Sequence, residues 1–125
     1  MEPLKISSHR RDTWEVVEVT GEIDITTRDE LGDHLDDVFA AHNPARVVVD
    51  FSGLDFCDAS GLSVLVAASH EARQRHGQLR LVCPEGPIRR LLRITELTTL
   101  IPVYDTVTQA VFPSRRGADD QRTGH

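Results

Sequence analysis

Lysine is almost missing from this chain. Lys5 is the only one among 125 residues, and the formal net charge is −6. No basic run is flanked by aromatics, and the aromatics number only four Phe, one Tyr and one Trp. Nucleic-acid binding needs a cationic footprint, so that class is excluded as an expectation. No apolar run approaches the roughly 20 residues that cross a bilayer. The first residues, MEPLKISSHRRD, lack the apolar core of a signal peptide. The cytoplasm is the expected compartment, with no membrane partner. Cysteine is scarce too. Cys57 and Cys83 form no CxxC and sit beside apolar residues at strand ends, which reads as two buried thiols in a reducing compartment.

Catalytic motifs are also absent. A phosphate-binding loop needs G-x-x-x-x-G-K-[ST], and a hydrolase elbow needs G-x-S-x-G; neither occurs. No histidine has a specified place beside a nucleophile. The aspartates Asp33, Asp36 and Asp37 read as a solvated helix face, not as metal ligands. No cofactor, metal site or catalytic residue is expected.

What is present is an alternation of strands and helices in a chain of single-domain length. Leu4-Lys5-Ile6 suggests a short edge strand. Trp14–Thr20, WEVVEVT, suits a strand exposed on one side. Gly21-Glu22-Ile23-Asp24 follows, with the glycine permitting a bend. Thr27-Arg28-Asp29-Glu30 matches a capping box, and Leu31, Leu35, Val38 and Phe39 then lie on one helical face. Asn43-Pro44 ends that helix. Val47-Val48-Val49 has no alternation, as in strands covered on both faces.

A polar loop and a helix starting at Ser60 come next, with Gly77 as a left-handed cap. Gln78–Pro84 is another strand. Pro87 opens a helix with Ile88, Leu91 and Leu92 inward and Arg89, Arg90 and Arg93 outward. Leu100–Tyr104 is a last strand, and Thr106–Gln109 a second capping box before a short helix. From Pro113 the pattern is lost, so residues 1–112 are expected to fold and 113–125 to form a disordered tail. The expected class is α/β, a single domain with a mostly parallel sheet of about five strands and about four helices.

The centre of interest is RVVVDFSGLDFCDASGLSVLVAA. A strand, a loop with Asp55 and Asp58, and a helix beginning at Ser60 place a hydroxyl on the positive end of a helix dipole. Two readings stand side by side. Ser60 is either only the helix cap, as most serines at helix starts are, or a functional hydroxyl. Asp24 also follows a strand, and sites in such folds gather at strand carboxyl ends. A response-regulator receiver would need a lysine after its last strand, and none lies near Leu100–Asp105.

The segment VVVDFSGLDFCDASGLSVLVAA resembles the signature of STAS domains, specifically bacterial anti-sigma-factor antagonists. There an apolar strand, an Asp and a short spacer lead to Asp-Ser-[Ser/Thr]-Gly-Leu at a helix start. Gly21-Glu22-Ile23-Asp24 resembles the family's second marker. The resemblance extends from about Leu4 to Phe112. It implies that Ser60 is phosphorylated by the partner itself, an anti-sigma factor with a kinase-type ATPase fold. It also implies that a phosphatase reverses this, with Asp24, Asp58, Ala59, Gly61 and Leu62 around the phosphosite and the partner. Ala59 departs from the serine often found before the acceptor, leaving Ser60 alone in the motif. The alternative within the resemblance is a stand-alone STAS subunit of a lipid-transporting ABC system.

Overall fold

Residues 3–113 are described by a computed structural model. The elements are β1 (Lys5–Arg11), β2 (Trp14–Ile23), α1 (Arg28–Ala41), β3 (Arg46–Asp50), β4 (Leu54–Cys57), α2 (Ala59–Gln74), β5 (Gln78–Val82), α3 (Pro87–Ile94), a 3-10 turn (Leu97–Thr99), β6 (Val103–Tyr104) and α4 (Val107–Val111). The sheet has six strands in the order β1-β2-β3-β5-β6, with β4 added along β2. Only the β1–β2 pair is antiparallel. The α/β class and mostly parallel sheet match the sequence reading, with one strand more than expected. The end of the chain, where a tail was expected, lies beyond Pro113 and outside the described residues.

The triple valine behaves as an unalternating strand should. Val47 and Val49 join a core with Val17, Val19, Leu79 and Leu81 under α1 and α2. Val48 faces the other way, into a second cluster with Trp14, Val16, Val82, Ala110 and Val111 beneath α4. Both faces of β3 are therefore dry. Burial of each such side chain is worth about 1.5–3 kcal/mol relative to exposure. Arg46 and Arg80 cover the Trp14 ring, 4.7 and 4.3 Å from its centroid. The two guanidinium groups thus stack on the ring beside the five-residue α4, whose Ala110 and Val111 share its cluster.

Several local expectations change. The edge strand runs seven residues, because β2 supplies partners from Thr20 to Trp14 even where β1 carries only polar side chains. The loop after β3 contains a strand, β4, with Leu54 and Cys57 buried; it pairs with Gly21–Ile23 once β3 has left β2 at Asp50. The left-handed residue after α2 is His76 (φ 60), while Gly77 is needed for close packing, since a Cβ there would stand 2.1 Å from the Ala45 carbonyl. Arg89 turns inward and donates to the Cys83 carbonyl at 2.6 Å and to Asp105 at 3.0 Å. Arg90 and Arg93 are exposed, as expected.

The bend in β2 follows from Gly21. Its φ of 95° suits glycine, and a Cβ would lie 2.0 Å from the Pro3 carbonyl oxygen. The register shifts between Gly21 and Glu22, which re-aims the last residues of β2 from β3 to β4. This brings the carboxyl ends of β2 and β4 side by side, with Asp24 following one and Asp58 the other.

Candidate functional site

The rim is built from two turns. After β2, Asp24 organises the first. Its Oδ1 accepts from the Thr26 N–H at 2.9 Å, the Thr26 hydroxyl at 2.7 Å and the Thr27 N–H at 3.1 Å. These bonds hold the carboxyl below its ordinary value of 3.8, the Thr26 hydroxyl contributing most and the Thr26 N–H next. The expected capping box is not made. Thr27 Oγ1 accepts from the Asp24 N–H and donates to the Glu22 carbonyl, so it faces back into the turn. The Asp24 carbonyl then receives the Arg28 N–H at 2.9 Å and starts α1. The second capping box is half made. Thr106 caps Gln109, but the Gln109 side chain accepts from Asp105.

After β4, Asp58 is the cap of α2. Its backbone N–H donates to the Ile23 carbonyl at 3.2 Å, and its Oδ1 accepts from the Gly61 N–H at 3.0 Å. This corrects the helix start and the plain reading of Ser60 as cap. Helix α2 begins at Ala59, and Ser60 lies within its first turn. The Ser60 hydroxyl donates to the same Asp58 Oδ1 at 2.6 Å. Ser60 is half-buried, so its Oγ is oriented yet reachable.

Gly61 is explained by packing. A Cβ there would stand 2.6 Å from Ile23 Cγ2 and 3.0 Å from Cys57 Sγ, so only glycine lets the first turn of α2 rest on both strands. Leu62 is buried in the core at 4% exposure. Gly61 and Leu62 therefore hold the helix in place and present no surface, unlike Ala59, which is exposed. Cys57 lies beneath, with its thiol pushed up to about 12 by burial first and by the Asp58 carboxylate second. Burial likewise pushes Cys83 up to about 11. Both are free and buried, as expected, and neither is a thiolate near neutral pH.

Asp55 is exposed on β4, and the Ser60 hydroxyl is bonded to Asp58 and not to it. Sequence reasoning missed three features of the rim. Ile25 and Phe56 are 67% and 47% exposed and form apolar ground beside the acidic turns. Arg28 reaches across from α1 to the Ser60 carbonyl, at 3.5 Å. Such an apolar residue immediately after the Gly-Glu-Ile-Asp turn was a signal available for Ile25. Phe56 was read as loop and so given no orientation. The Ser60 hydroxyl is bonded to a carboxylate and not to a histidine base. Among the described residues, no group of three or more His, Cys, Asp or Glu is placed to hold a metal, and no helix is long and apolar enough to cross a membrane.

The family model described as the STAS domain matches residues 5–110. The chain belongs to the STAS family. The STAS match starts with β1 and ends inside α4, so it takes in both turns of the rim. Among curated relatives, the anti-sigma-B factor antagonist of Listeria monocytogenes is 30% identical over 101 residues, 80% of this chain and 88% of that protein. The anti-sigma F factor antagonist of Paenibacillus polymyxa is 27% identical over 96 residues, 77% of this chain and 82% of that protein. Among solved structures, an anti-sigma factor antagonist from Mycobacterium paratuberculosis superposes with a TM-score of 0.80 at 28% identity, covering 87% of this STAS chain and 92% of that one.

Proposed function

We propose that this STAS protein is an anti-sigma-factor antagonist switched off by phosphorylation of Ser60. The observation that carries the reading is the Ser60–Asp58 pair. A reachable hydroxyl is held at 2.6 Å from a carboxylate, in the first turn of a helix, beside the exposed apolar Ile25, Phe56 and Ala59. The relatives' names supply the partner class. The unmodified rim docks on an anti-sigma factor, burying its apolar residues and releasing a sigma factor. Asp24 and Asp58 set the charge and the shape of that surface. The anti-sigma factor is also the serine kinase.

In the transfer, Ser60 Oγ forms a bond to the γ-phosphorus of ATP as the bond from that phosphorus to the ADP oxygen breaks. The hydroxyl proton leaves by way of the Asp58 carboxylate that already accepts it. The product carries about −1.5 to −2 charge on a rim that is already acidic. Docking then requires the desolvation of a dianion, and the complex dissociates. A separate phosphatase restores the hydroxyl. The protein itself works as a binding protein of the cytoplasm, not as an enzyme. Incubation with candidate anti-sigma kinases and ATP, followed by mass mapping, tests the reading. One phosphate on Ser60, abolished by Ser60→Ala, is expected; stoichiometric label on Ser63 or Ser69 with Ser60 unmodified contradicts it.

A further inference from the structure

Arg28 occupies a position that the fold itself does not reward. It is the first residue of α1, at the positive end of the helix dipole, where a cation is disfavoured. None of the ion pairs among the described residues uses it. Its guanidinium instead crosses to α2 and rests on the Ser60 carbonyl through one long bond of 3.5 Å. The backbone beneath it is fixed, because the Arg28 N–H is held by the Asp24 carbonyl at 2.9 Å. A half-buried cation is therefore held on the main chain of the candidate phosphoacceptor itself, with most of its donors uncommitted.

Phosphorylation changes the electrostatics at this point. Ser60 loses the hydroxyl hydrogen that it gives to Asp58. Asp58 keeps its bond to the Gly61 N–H, so its carboxylate stays in place and repels the new dianion. The phosphate must turn away from Asp58, and Arg28 is the cation already bonded to Ser60, through the Ser60 carbonyl. We propose that Arg28 is the phosphate-binding residue of the modified protein, its planar guanidinium moving from the Ser60 carbonyl to the phosphoserine oxygens and clipping the start of α1 to the start of α2. The inference rests on the reading of Ser60 as the phosphoacceptor. It adds a residue that holds the switched-off state together from within the protein.

The test installs phosphoserine at position 60 of the full chain by genetic code expansion, so that no kinase is involved. Whether any kinase modifies Ser60 is thereby a separate question with a separate answer. The second ionisation of the phosphate is followed by phosphorus NMR in wild type, Arg28→Ala and Arg28→Lys. Asp58 at the cap, Asp24 before α1, Asp29 in its first turn and Asp55 on β4 all raise that ionisation. They are common to the three proteins, so the difference reports Arg28. Starting from an ordinary value of about 6, the wild-type ionisation is expected about 0.5–1 unit below that of Arg28→Ala. Arg28→Lys should recover part of the shift. Thermal unfolding of the unphosphorylated proteins should be alike, and only the phosphorylated pair should separate. Equal ionisation in wild type and Arg28→Ala overturns the proposal. If Arg28→Ala does not fold, Arg28→Gln, which keeps a polar side chain and removes the charge, takes its place: a raised ionisation supports the clip, and ionisation equal to wild type overturns it.

Discussion

Asp58 and Ser60 share one oxygen contact but have different duties, and substitution should separate them. Asp58 satisfies the free Gly61 N–H at the start of α2. Asp58→Ala should cost about 0.5–2 kcal/mol, as loss of a helix cap does. Ser60→Ala removes only a side-chain bond to the same carboxylate and places a strong helix former within the helix; its effect should stay within about 0.5 kcal/mol. Denaturant unfolding of the two variants measures the contrast, and equal losses would contradict the assignment of the cap. Asp24 gives a pH signature. Its carboxyl is depressed in the folded state by the Thr26 and Thr27 bonds. The stability it contributes is therefore present above the unfolded value and lost as pH falls through the lower folded value. The stability difference between wild type and Asp24→Asn should be flat near neutral pH and change only in the acid range below the ordinary value of 3.8. Urea melts at a series of pH values check this, and a difference that changes around neutrality would contradict it.

At the scale of elements, α2 is seated by Leu65, which is fully buried, and by the bare backbone at Gly61. Leu65→Ala should destabilise the domain by about 2–5 kcal/mol. Gly61→Ala should lift the first turn of α2 from Ile23 and Cys57. Exposure of Cys57 gives a direct readout, since its thiol should react with an alkylating reagent faster in Gly61→Ala than in wild type. Unchanged reactivity would mean that the turn absorbs the methyl. Legibility in the sequence varied with how locally each element is determined. The unalternating valines of β3 and the periodic apolar positions of α1 state their own burial, and both were read correctly. β4 was not legible, because four residues with two inward and two outward have no period, and its pairing depends on a bend in β2 that lies 33 residues earlier, at Gly21 against Leu54. β1 was legible only at its apolar start, since antiparallel pairing carries the rest. The placement of Ser60 and Asp58 at one helix start could be read from the sequence. Which of them caps, and that Arg28 arrives from another element, could not, because both depend on side-chain direction.

For the whole molecule, the proposed switch requires that modification change a surface without changing the fold. The two sides of the sheet carry separate cores, one under α1 and α2 and the other under α4, and the Ser60 side chain belongs to neither. A phosphate in the first turn of α2 is favoured by the dipole and need disturb neither core. Phosphorylated and unphosphorylated protein should therefore melt at similar temperatures while differing in affinity for the anti-sigma factor. Ser60→Ala should stay bound in the presence of ATP, and Ser60→Glu, which carries part of the charge, should bind more weakly than wild type. The most direct measurement is calorimetric titration of the anti-sigma factor with the unmodified protein and with the protein carrying phosphoserine at position 60, alongside thermal unfolding of both. The account predicts binding by the first and at least tenfold weaker binding by the second, a difference of about 1.4 kcal/mol or more, with both folded. Equal affinity in the two titrations would contradict it and return Ser60 to a structural place in the first turn of α2.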